Sequence, residues 1–177
     1  MGPLVKAGPI GSAAGMPFAI RPFHPDDATW LVARHGALYA EHEGFDASFP
    51  ALVDQIVQAF VAGHNPAREA GWIATKGAQR MGSIFCVTES AKTPQIAKLR
   101  LFLLEPTARG TGLSQRMLET CMTFAKDAGY EAMRLWTHES HRAAGRLYAR
   151  NGFALLESTP TRSFGQDVVS QIWFRVL

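Results

Sequence analysis

Apolar positions in the first half of the chain repeat at helical intervals. Leu31, His35, Leu38 and Tyr39 fall at i, i+4, i+7 and i+8 and predict a helix over about 26–40, with Asp26 and Asp27 as N-cap chemistry. The segment Glu41-His42-Glu43-Gly44-Phe45-Asp46 is expected to break it as a loop. Leu52, Ile56 and Phe60, flanked by Val53 and Val57, predict a second helix ending near Gly63. Ahead of both, Phe18 to Pro22 predicts a short strand. Trp72–Thr75 and Met81–Thr88 predict a hairpin joined at Lys76-Gly77-Ala78-Gln79.

The second half alternates differently. Ile96 to Leu104 is an almost continuous apolar strand, interrupted by Lys98 and Arg100 and ending at Glu105-Pro106. A glycine-containing turn at 107–112 leads into a helix to about residue 127, with Leu113, Met117, Leu118, Cys121, Phe124 and Ala125 on one face. Glu131–Thr137 predicts a strand, and 140–151 a helix closed by Asn151-Gly152. Phe153–Glu157 and Asp167–Val176 predict final strands around a loop at 158–166. The order βααβββαβαββ is an α/β chain with a mixed sheet of about seven strands and four helices. A strand–helix–strand unit in its middle requires a parallel pair there.

Length and composition narrow the function classes. A chain of 177 residues, 47% hydrophobic and 19% charged, has the composition of one ordinary globular domain. Residues 1–17, rich in Gly, Ala and Pro, are expected as a flexible tail, and 18–177 as the single domain. No apolar run reaches the roughly 20 residues of a membrane-spanning helix, so no membrane partner is expected. The 18 Lys and Arg residues are scattered and nearly balanced by 15 acidic ones. That distribution argues against nucleic acid as partner, while a net charge of +3 suits an anionic cofactor. Cys86 and Cys121 lie among apolar neighbours and are expected as buried thiols of a cytoplasmic protein. The six histidines form no HExxH and there is no CxxC, so no metal is expected.

The most informative segment runs from Leu103 to Ser114. A glycine-rich turn between a buried strand and a helix leaves backbone N–H groups unpaired at the positive end of the helix dipole, a ready site for phosphate. Gly110 and Gly112 allow close approach and Arg109 adds a cation; a tight turn using glycine for its backbone alone is the competing explanation. GxxxxGK[ST] is absent, and Gln115 stands where a dinucleotide fingerprint needs its third glycine.

Arg109-x-x-Gly112-x-Ser114 resembles the (Q/R)xxGx(G/A) pattern of the GNAT family of acetyl-CoA-dependent N-acetyltransferases, with Ser114 in place of the final small residue. Ala144-x-x-Leu147-Tyr148-x-x-x-Gly152-Phe153 is similar to the family's NxxAxxLYxxxGF segment, with His141 standing where many members have Asn near the cofactor. The opening from Ile20 to Ala28 is similar to the family's first strand and helix cap. Ala97–Leu101, Leu135–Thr137 and Ser163–Asp167 resemble the acetyltransferase half of MarR–GNAT fusion proteins, though this chain has no room for the DNA-binding half.

The resemblance implies a GNAT fold whose split parallel strands form an acetyl-CoA cleft. It places the pyrophosphate on the N–H groups of Arg109, Gly110, Thr111, Gly112, Leu113 and Ser114, and the pantetheine arm on the main chain of Phe102, Leu103 and Leu104. Tyr148 corresponds to the general acid, a phenol protonated at neutral pH; core packing is its competing role. Glu105, at the end of the split strand, is either the general base or a solvated strand-end acid, with Glu41, Glu43, His138 and Glu139 as weaker alternatives. Lys98 and Arg100 share one strand face and need anionic partners. These are either structural carboxylates such as Asp167 or Glu157, or a substrate carboxylate clamped by Arg100. Trp136 and Trp173 either line the acceptor pocket or join the core, and Glu41 is a further acceptor-side candidate.

The expected function is transfer of acetyl from acetyl-CoA to a primary amine, of a small molecule, by direct attack. The alternatives are a catalytically weak CoA-binding sensor and a protein N-terminal or lysine acetyltransferase. A homodimer is left open.

Overall fold

The computed structural model describes residues 17–177; the rest of the expected 1–17 tail lies outside the described residues. The elements are β1 (Phe18–Pro22), α1 (Ala28–Glu43), α2 (Ser48–Gly63), β2 (Ala70–Lys76), β3 (Gln79–Thr88), β4 (Ile96–Leu104), α3 (Leu113–Asp127), β5 (Ala132–His138), α4 (Arg142–Arg150), β6 (Ala154–Ser163) and β7 (Gln166–Val176). They follow the predicted order and form a seven-stranded mixed sheet, β1-β2-β3-β4-β5-β7-β6, whose one parallel pair is β4–β5.

Each sheet face carries its own core. Leu99 and Ala97 of β4, with Met133 and Leu135 of β5, pack under the Met117, Leu118 and Cys121 face of α3. On the other side Ile73 and Phe85 meet Leu31 of α1 and Val53, Val57 and Phe60 of α2. Cys86 and Cys121 are buried free thiols.

Three local expectations need correction. α1 runs on to Glu43, so Glu41, His42 and Glu43 are helical; the stop is Gly44, left-handed at φ 70°, whose N–H reaches the Ala40 carbonyl. Asp27 offers no side-chain cap to α1. Its carboxylate instead accepts from the His24 N–H at 2.9 Å and from Arg21 and Arg80, while the His24 ring caps the turn at Pro25–Asp27. The expected loop at 158–166 is mostly strand, because β6 and β7 form a long hairpin closed by Phe164 and Gly165, both at positive φ. β6 is exposed along nearly its whole length, so neither face needs apolar residues and the strand leaves no alternation to read.

Candidate active site

The cleft starts from a defect in β4. Between its pairings Arg100↔Phe85 and Leu103↔Ser83, β4 has one residue more than β3, and Leu101 takes φ 50° to absorb it. The Ser83 hydroxyl donates to the Leu101 carbonyl at 2.6 Å and holds the bulge. Pairing with β5 extends from Ile96↔Ala132 to Leu99↔Leu135 and stops there. Past that point the two parallel strands separate, and the edge of Leu101–Leu104 facing β5 has no strand partner among the described residues. A cavity of about 630 Å³ occupies the gap and continues between β4, α1, α2 and the start of α4.

The turn before α3 closes one end. Gly110 and Gly112 adopt φ 73° and 81°, and a Cβ on either would project into open space. α3 has no side-chain cap at Gly112, and Arg116 N–H donates to the Gly112 carbonyl at 3.2 Å. The N–H groups from Gly110 to Gln115 therefore have no backbone acceptor outside the helix among the described residues. Thr111 turns its hydroxyl back to the Ala108 carbonyl at 2.6 Å, which fixes the loop. A stack of unpaired donors at a helix start, open in front and flanked by Arg109, fits a pyrophosphate.

Tyr148 lies deeper, 4% exposed, packed on Phe153 and Trp173 at centroid distances of 5.7 and 6.2 Å. Its hydroxyl makes no hydrogen bond with the described residues although the ring lines the cavity, and burial raises its pKa far above that of a free phenol. It is therefore a protonated phenol on the wall of the cleft. Tyr39 of α1 lines the same cavity and is raised to about 12, by burial and then by Glu43, against the nearby Arg109. Beside it the His141 Nε2 lies 3.1 Å from Glu43 Oε1, and its Nδ1 lies 3.2 Å from the Thr137 hydroxyl. Burial lowers His141, with Glu43 opposing.

Of the residues singled out from sequence, Phe102, Leu103, Leu104, Arg109, Gly110, Ser114, His141, Tyr148, Arg100 and Trp136 all line this one cavity, and Thr111, Gly112 and Leu113 form the adjoining turn. Four candidates do not line it: Glu105, Glu41, Glu139 and Trp173, the last packed behind Tyr148 with its ring N–H donated to Gln171. Glu105 has both carboxylate oxygens taken by Arg34, at 2.6 and 2.8 Å, and is not a lining residue. Glu41 is exposed on the outer side of α1, and Glu139 is exposed outside the cavity. Tyr39 and the Glu43–His141 pair were missed as a unit. Tyr39 fits the helical period of the core, and Glu43 seemed a loop residue because the helix was ended too early.

Lys98 and Arg100 have no ion pair or hydrogen bond among the described residues. Asp167 pairs with Arg162 at 2.9 Å, and Glu157 accepts from Thr159 at 2.9 Å on the edge strand β6, beyond β5 and β7 from β4, so neither expected structural pair is formed. Burial lowers the pKa of both cations. For Lys98 repulsion from Arg100 and Arg134 adds to this and Glu89 opposes it.

The model of the acetyltransferase (GNAT) family matches residues 25–153, and the chain belongs to that family. Among solved structures it is similar to a GNAT-family acetyltransferase from Streptococcus pneumoniae, with 17% identity, coverage of 91% of this chain and 100% of the other, and a TM-score of 0.71. It is also similar to an acetyltransferase from Streptococcus agalactiae at 20% identity, covering 90% and 98%, TM-score 0.72. A third, from Salmonella typhimurium and described as an acetyltransferase with its cofactor acetyl-CoA, is 14% identical over 90% and 93% of the chains, TM-score 0.73. At these identities the likeness shows the fold alone. A comparison with curated proteins finds no match.

Proposed function

We propose that this chain transfers the acetyl group of acetyl-CoA to the primary amine of a small molecule by direct attack. The observation that carries the reading is the convergence of three features on one cleft: the strand split at Leu101, the unpaired N–H groups before α3, and the unpartnered hydroxyl of Tyr148.

Arg109 to Ser114 would hold the pyrophosphate, and the open edge of Phe102–Leu104 would pair with the pantetheine amides. Acetyl-CoA supplies a thioester whose carbonyl carbon accepts the amine lone pair while the C–S bond breaks. Tyr148 gives its phenolic proton to the departing sulfur; burial keeps that proton in place until the thiolate leaves. The proton lost by the amine goes to cleft water, with Glu43 and His141 as an acid–base pair in the lining. Glu105 could serve as base only after Arg34 leaves it. The likeness of Ala97–Leu101 and Ser163–Asp167 to MarR-fused acetyltransferases supports a relative of that branch, and the two buried free thiols support a cytoplasmic site of action.

Acetyl-CoA-dependent release of free thiol, measured over amino acids, polyamines, aminoglycosides and peptides beside calorimetric titration of acetyl-CoA, tests the reading. Binding together with turnover of a small amine is expected. Binding without turnover of any amine would make the chain a CoA sensor, and turnover of peptides alone would make it a protein acetyltransferase.

A further inference from the structure

Lys98 and Arg100 occupy the floor of the cleft on the α1/α2 side of the sheet. Ala97 and Leu99 enter the opposite core, and the strand partners of the two cations, Val87 and Phe85, belong to the α1/α2 side. Both line the cavity and both are half-buried. Two cations two residues apart on one strand repel each other, and partial burial without an anion is costly. No acidic side chain among the described residues makes an ion pair with either of them. Glu89, the acid that acts on Lys98, is committed to Arg134 at 2.7 Å, and residues 1–16 contain no Asp or Glu.

The surroundings have a matching chemistry. Trp136 follows Arg134, the register partner of Lys98, by two residues and shares its face; it is 42% exposed. Leu52 (37% exposed) and Ile56 of α2 line the same cavity and add apolar surface to it. His138, two residues further on, is 2% exposed, and neither ring nitrogen has a partner. The cavity lining therefore combines two cations without an ion-pair partner, an unpaired imidazole and apolar side chains, while its one acid, Glu43, is engaged with His141. The two cations and the imidazole lie next to the end of the β4–β5 pairing, on the far side of the bulge from the pyrophosphate turn.

Resting on the acetyltransferase reading, we infer that the acceptor is an amino acid with an apolar side chain, its carboxylate held by Arg100 and Lys98 and its side chain laid against Trp136, Leu52 and Ile56. The carboxylate supplies the charge that the fold leaves out. The free amine of the same molecule is then held beside the strand split, where the thioester would end.

The test compares L-leucine with L-leucinamide and isoamylamine as acceptors, in wild type and in Arg100→Gln and Lys98→Gln. Wild type is expected to prefer leucine at least tenfold in kcat/KM, and Arg100→Gln to erase most of that preference through KM. A second readout is the melting temperature of Arg100→Met without ligand. A cation kept for the acceptor lowers stability, so the variant should melt higher, whereas a structural arginine would make it melt lower. Equal use of leucine and isoamylamine, or unchanged preference in Arg100→Gln, overturns the inference while leaving acetyl transfer standing. Absence of acetyl-CoA binding or of thiol release with every amine would strike the acetyltransferase reading instead.

Discussion

Replacing Tyr148 with Phe removes one oxygen from a site whose other contacts remain. The ring stays wedged against Phe153 and Trp173 at 5.7 and 6.2 Å. Because the hydroxyl has no protein partner among the described residues, deleting it strands no donor or acceptor, and the change in folding stability should stay below about 1 kcal/mol. The chemical step is another matter. Loss of a positioned proton donor costs about 10²–10⁴-fold, which corresponds to roughly 3–5 kcal/mol of barrier. Steady-state thiol release, calorimetric affinity for acetyl-CoA and thermal melting separate these effects. kcat is expected to fall by about two orders of magnitude or more, with acetyl-CoA affinity within about threefold and melting nearly unchanged. A fall in kcat of less than about threefold, or an equal loss of affinity and turnover, would remove Tyr148 from the acid role.

Gly112→Val should weaken acetyl-CoA binding beyond its effect on folding. The backbone at φ 81° costs about 1–3 kcal/mol for a branched residue, and the new side chain would fill the space before the unpaired N–H groups. Calorimetry with Gly112→Ala as control would show unchanged affinity if no phosphate sits there. Asp27→Ala should destabilise the fold by about 3–5 kcal/mol, read in urea melts, because Arg21 and Arg80 lose a carboxylate that is 1% exposed. Although burial pushes the Asp27 carboxyl up, hydrogen bonds from Arg21, Arg80 and the His24 N–H hold it well below the usual range. Its contribution is therefore full above about pH 4 and lost as pH falls further, a dependence that Asp27→Asn should flatten. Burial lowers His35 to about 4, with the Leu31 carbonyl opposing. The unfolded chain takes up that proton near pH 6.5 and the folded chain only near 4, so stability declines across this interval, by about 2 kcal/mol at pH 5. His35→Gln should shrink the slope between pH 7 and 5 by that amount, leaving the part from His138, which burial also lowers to about 4, and melts at those two pH values check it.

The element order, the boundaries of β4, the glycine turn and the Tyr148 segment were legible in the sequence. Each rests on local chemistry: an apolar run, glycine at a left-handed turn, and a motif carried on one helix. β6 was half hidden because an exposed edge strand needs no apolar alternation. The end of α1 was misplaced because Glu41, His42 and Glu43 look like loop residues, whereas Gly44 sets the stop.

What the sequence left open was who meets whom. Glu105 stood at the right end of the right strand, but Arg34, 71 positions away, takes both its oxygens. Glu43 looked peripheral until the packing of α1 brought it to His141, 3.1 Å away. The partnerless state of Lys98 and Arg100 is likewise a property of the whole arrangement, since it depends on Asp167, Glu157 and Glu89 being engaged elsewhere. Periodicity and turn chemistry act over a few residues and can be read along the chain. Charge pairing acts through space, and so only the tertiary structure decided which charges are satisfied and which face the cleft.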